Sequence, residues 1–126
     1  MAAATFPVDP RSVAVARRLV ENTLDGQAPG VVEDAVLLTS ELVTNAVRHA
    51  ESTVRVVVAV DDRFVRVEVH DDSDLLPVVG PARSTAMGGR GMPMVDVLAR
   101  RWGVTPAADG GKAVWFELGL AGAPGG

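Results

Sequence analysis

The chain has no cysteine, which excludes disulfides, thiolate-bound metals and a cysteine nucleophile, and suits a reducing cytoplasm. Tyrosine and isoleucine are also absent, and Lys112 is the only lysine, so almost every cation is an arginine. That bias is typical of GC-rich coding and says little about function. Positive charge is in deficit: 12 Lys and Arg stand against 16 Asp and Glu, for a formal charge of -4 and a pI near 5.0. Binding a nucleic-acid backbone takes clustered Lys and Arg that displace counterions, so no direct nucleic-acid contact is expected, and a basic partner surface fits better. Long apolar runs are missing too. The longest is Val56 to Val60, and the opening MAAATFPVDPRS has no charged start followed by an apolar core. Neither a signal peptide nor a membrane span is expected, and the location implied is cytoplasmic.

What is present suffices for one unit. With 126 residues, 48% of them hydrophobic and 22% charged, the chain can bury one core and is too short for two. The expected organisation is a single domain over residues 1–121 with a flexible Gly- and Pro-rich tail over 122–126. Thr5 to Val8 reads as a short edge strand, after which Asp9 can cap a helix whose first turn holds Pro10. That helix runs to about Leu24, with Val13, Ala16, Leu19, Val20 and Leu24 at helical spacing, and DGQAPG breaks it. A second helix spans about Val31 to Ala50. Thr53 to Val60 and Phe64 to Val69 alternate as strands about a DDR turn, which makes a β-hairpin. From Asp71 to Gly89 the pattern lapses into a long loop of acids, Pro, Gly and small polar residues, a length that compact domains reserve for function or disorder. A helix is then expected over Met92 to Arg101, followed by strands over Trp102 to Thr105 and Ala113 to Leu118. Helices and antiparallel strands in this order predict an α+β fold, a two-layer sandwich with one face of a mostly antiparallel sheet covered by helices.

Four segments carry candidate chemistry. In SELVTNAVRHA, taking about 100° per residue, Asn45 lies about 40° to one side of Glu41 and Arg48 about 20° to the other. These form one polar stripe, with His49 at its margin, opposite the apolar Leu42, Val43, Ala46, Val47 and Ala50; such a stripe is either a solvated face or a ligand face. Asp71 closes the strand VRVEVHD, where its carboxylate can accept a hydrogen bond from an exocyclic amine or simply end a turn. GGRG, residues Gly88 to Gly91, precedes a helix; its glycines permit close backbone approach, the helix start aims N–H groups at an anion, and Arg90 adds charge, although a plain loop-to-helix junction reads the same way. In GGKAVWFEL, Trp115 and Phe116 point to opposite faces, so at most one is core, and Lys112 at the turn can reach phosphate or water.

Taken together and in this order, ELVTNAVRHA, VEVHD, GGRGMPMV and GKAVWFEL resemble the N, G1, G2 and last-strand boxes of the histidine-kinase-like ATPase superfamily, the Bergerat fold. The start TFPVDPRSV resembles the small anti-sigma-factor serine/threonine kinases and their actinobacterial relatives. The resemblance implies ATP and Mg²⁺ as cofactors, with Asn45 as the Mg²⁺ ligand and Glu41 as the acid that orients or deprotonates the attacking hydroxyl. It implies Asp71 as the adenine-recognising acid, Gly89, Arg90 and Gly91, followed by Met92, as the lid over the phosphates, and supporting roles for Arg48, His49 and Lys112. It further implies an antagonist protein as phosphate acceptor and a sigma factor as a partner, and a homodimer through an exposed sheet edge stays open. Ser73 and Leu75 stand where the G1 box has glycines, which restricts backbone approach to a nucleotide and lowers the expected affinity. The alternative is a non-catalytic module that regulates by binding a partner, with nucleotide or without it. ATP hydrolysis without a protein acceptor is a third reading.

Overall fold

The computed structural model describes residues 1–73, 95, 97–107 and 110–120. Within them the chain forms strand β1 (Ala2–Pro7), helices α1 (Arg11–Thr23) and α2 (Pro29–His49), and strands β2 (Thr53–Val60), β3 (Phe64–Asp71), β4 (Arg101–Pro106) and β5 (Lys112–Gly119). This is the expected α+β architecture.

Local chemistry sets the helix limits. The Asp9 carboxylate accepts the Arg11 N–H at 2.8 Å, and Pro10 is already helical at φ -54°, ψ -28°, so α1 starts as an acid-capped helix with proline in its first turn. Along α1, Ala16, Val20 and Leu24 are fully buried and Val13 and Leu19 pack beside them. Gly26 then takes φ 92°, a left-handed conformation that reverses the chain toward α2. Pro29 opens α2 two residues before the expected Val31, because a first-turn proline gives up no helical hydrogen bond. Ala35, Leu38, Thr39, Leu42, Val43 and Ala46 are its buried residues, one stripe at helical spacing. Ala50, extended at φ -68°, ψ 148°, ends it.

The five strands run in the order β1-β2-β3-β5-β4, and every neighbouring pair is antiparallel. The β2–β3 hairpin turns at Asp61, whose carboxylate accepts the N–H groups of Arg63 at 2.7 Å and Phe64 at 2.8 Å. Alternation puts Val54, Val56 and Val58 of β2, Val65, Val67 and Val69 of β3, and Val114, Phe116 and Leu118 of β5 on one buried face. In register they form rows, such as Val58, Val67, Phe116 and Trp102 across four strands. Burying each such side chain contributes about 1.5–3 kcal/mol, so these rows are the main cohesive stripe. On that face α2 lies chiefly over β3, and α1 packs against α2.

Other boundaries also differ from the sequence expectation. β1 begins at Ala2, because pairing with β2 carries the ladder to Ala2 opposite Val58 although alanine has little preference for strands. Of the helix expected over Met92 to Arg101, Val95, Val97 and Leu98 are helical, but the Arg100 N–H donates to the Glu117 carbonyl at 2.8 Å and Arg101 opens β4. Pairing with β5 therefore takes over the backbone before the helical pattern runs out. Most of the long loop and the 122–126 tail lie outside the described residues.

Candidate functional site

Asp71 and Lys112 are register partners across β3 and β5. Asp71 stands two residues beyond Val69, and Lys112 two before Val114, so both side chains share the helix-covered face at the rim of the core. They are almost fully buried there, with side chains 3% and 5% exposed. The Lys112 ammonium donates to both Asp71 oxygens, at 2.9 Å to Oδ1 and 3.1 Å to Oδ2, and lies 3.4 Å from the Ser73 carbonyl. The Ser73 N–H adds a bond to Oδ1 at 2.9 Å. The sequence offered phosphate or water as partners for Lys112; the fold gives it a carboxylate 41 residues away. Charges this deeply buried are a poor source of stability compared with apolar side chains of similar volume.

Backbone proximity shapes the same corner. Gly111, at φ 80°, lies so close to β3 that a Cβ on it would collide with the Asp71 carbonyl oxygen and stand 3.0 Å from the Asp72 Cα. A cleft of about 250 Å³ opens at this end of the sheet; Arg55 and His70, which line it, are register partners that alternate to the face opposite the Asp71 carboxylate.

A residue that sequence reasoning passed over, Asp72, ties α2 to this corner. Its carboxylate accepts the N–H groups of Glu51 at 2.7 Å and Ser52 at 2.8 Å, and also the Ser52 hydroxyl. These bonds, the Ser52 hydroxyl foremost and the Glu51 N–H next, hold its carboxyl below the usual range. The paired acids of VHDD were the available signal: successive strand residues face opposite ways, so one turns to the core and the other is released to the neighbouring chain.

The bridge from Asp72 to Glu51 and Ser52 holds the C-terminal end of α2 at the Asp71 end of the sheet. Asn45 sits one turn before His49, and Glu41 one turn earlier still. Both are half-buried, and neither has a side-chain hydrogen bond to a described residue, whereas Arg48 and His49 are exposed. The last turn of α2 thus carries the Arg48 cation where the helix dipole favours it. The structure therefore assembles one corner from Asp71, Lys112 and Asp72, with the stripe of Glu41 and Asn45 on the helix that ends there. Gly89, Arg90, Gly91 and Met92 lie outside the described residues.

Among the described residues no group of three or more His, Asp or Glu could enclose a metal ion. A single amide oxygen such as that of Asn45 suits Mg²⁺, which keeps several waters and takes its remaining ligands from phosphates. No helix among the described residues is long and apolar enough to cross a membrane. Residues 6–118 match the protein family described as histidine kinase-like ATPase domain. Compared with curated proteins, the chain finds no match.

Proposed function

The chain belongs to the histidine kinase-like ATPase domain family, and from that premise we propose that it is a cytoplasmic regulator that binds Mg·ATP and phosphorylates a serine or threonine of an antagonist protein, releasing or sequestering a sigma factor according to the antagonist's state. The observation that carries this reading is the half-buried pair Glu41 and Asn45, without partners among the described residues, on the helix that Asp72 anchors beside Asp71.

In this reading Asp71 accepts the exocyclic amine of the base, and Asn45 supplies the amide oxygen for Mg²⁺. The ion, when bound, neutralises charge on the phosphates. Glu41 orients the acceptor hydroxyl and takes its proton as the new O–P bond forms and ADP departs. Gly89, Arg90, Gly91 and Met92 supply the backbone N–H groups and the cation that cover the phosphates, as the sequence resemblance implies, and Arg48 and His49 assist from the exposed end of α2. Phosphoryl transfer rests on alignment and charge neutralisation, so no covalent enzyme intermediate is required. Incubation with labelled ATP and candidate antagonists tests the proposal: wild type transfers label, and Glu41→Ala lowers the rate by about 100-fold or more. Equal transfer by the two proteins, or none by either, overturns it.

The Asp71–Lys112 pair also favours a second reading, a nucleotide-dependent or nucleotide-free interaction module, because the base-reading carboxylate already has a cationic partner within the fold. Calorimetry with Mg·ATP separates the two. Binding without turnover leaves a switch, and no binding removes both nucleotide models.

A further inference from the structure

On the reading that Asp71 recognises the base, we infer that Lys112 is a specificity-determining residue: with the Ser73 N–H it fills Asp71 so that one acceptor position remains, selecting purines that offer a single exocyclic amine over those that offer two adjacent N–H donors. Each carboxylate oxygen accepts about two hydrogen bonds. Oδ1 is filled by Lys112 and the Ser73 N–H, and Oδ2 already holds one bond from Lys112. Among the described residues, what remains is one lone pair on Oδ2. An adenine edge needs no more than that, since its 6-amino group brings the donor. The guanine edge presents N1–H and the 2-amino group side by side and reaches full strength only with both oxygens open.

The ammonium leaves guanine nothing in exchange. Its three N–H groups are directed at Oδ1, Oδ2 and the Ser73 carbonyl, so none is left to meet a 6-oxo group. With both side chains at least nine-tenths buried, water is not at hand to replace a bond that Lys112 gives up. The close approach of Gly111 to the Asp71 carbonyl and the register pairing of Asp71 with Lys112 set the first residue of β5 against the acid. Lys112 thus acts through Asp71 and is a positioning residue, not a catalytic one.

The test is calorimetric titration of the full chain with Mg·ATP and Mg·GTP, comparing wild type, Lys112→Met and Asp71→Asn, with folding checked by circular dichroism. Wild type is expected to prefer ATP, and Lys112→Met to narrow the ATP:GTP affinity ratio by about tenfold, because an uncompensated carboxylate gains from the second donor. Should Lys112→Met fail to fold, Lys112→Gln, which keeps an amide NH2 donor group without the charge, is expected to narrow the ratio in the same direction to a smaller extent. A lysine needed only for structure would weaken both nucleotides alike; an unchanged ratio in the folded variant, while Asp71→Asn alters it, overturns the role of Lys112 and leaves Asp71 as the base reader. If Asp71→Asn leaves the ratio unchanged, or wild type binds neither nucleotide, the base-site reading itself fails and the inference with it.

Discussion

A glycine shows most directly how single residues build the corner. Gly111 combines φ 80° with a backbone contact to Asp71 that leaves no room for a methyl group, so two independent constraints act on one position. Gly111→Ala is expected to cost on the order of 2 kcal/mol and to displace Asp71, which a lowered urea midpoint together with weakened ATP binding would report. A lowered midpoint with unchanged binding would show that the corner adapts. At Gly26 the conformational constraint acts alone, with a similar φ and nothing within 4 Å of the would-be Cβ, whereas Gly111 also meets the steric one. From sequence, GG before a strand reads as a turn; the collision with β3 depends on which strand lies alongside.

Among the elements, α2 holds a core stripe and a polar stripe at once. Its core face includes Thr39, fully buried, whose hydroxyl has no hydrogen-bond partner among the described residues. Burying an unpaired hydroxyl is unfavourable, and valine has nearly the same shape without it. Thr39→Val is expected to raise stability by about 1 kcal/mol with no change in nucleotide binding, measured by urea denaturation and calorimetry. A loss of stability would reveal a partner for the hydroxyl. The spacing of both stripes was legible in SELVTNAVRHA, because helical periodicity is a local property. That α2 ends at the Asp71 end of the sheet was not, since it depends on Asp72 bonding to residues 20 and 21 positions away.

At the scale of the whole molecule, helices cover one sheet face, and among the described residues no helix covers the other. That second face carries ion pairs and ring stacking. Arg66 bonds Glu68 at 2.8 Å and Glu117 at 3.2 Å and lies 4.0 Å over the Trp115 ring, while the indole packs on Gly103 of β4. Phe116, its neighbour, is fully buried, as alternation required. Arg66 foremost, with help from His70, holds the Glu68 carboxyl below its ordinary range. Several acids across the fold share that sign. Asp9 is lowered from 3.8 to about 2, chiefly by the Arg11 side chain, Asp61 is lowered by the N–H groups of Arg63 and Phe64, and Asp72 by Ser52 and Glu51. Depressed folded-state values mean that their contribution is present above the ordinary carboxylate value and disappears as pH falls through the folded ones. Stability is therefore expected to decline from about pH 4 toward about pH 2, with Asp72→Asn flattening that decline. Urea midpoints measured across this range check it; an equally steep fall in the variant would remove Asp72 from the account.

By itself the sequence determined the elements: the capped α1, the amphipathic α2, the β2–β3 hairpin and the alternation that buries valine after valine. Each is encoded within a few residues, by periodicity, a cap or a turn. Only the tertiary structure decided that β5 slots between β3 and β4, and with that register came the partnership of Asp71 and Lys112 and the closeness of Gly111. Strand order is settled by which apolar faces pack together over long separations, a comparison among whole arrangements that no short stretch of chain contains.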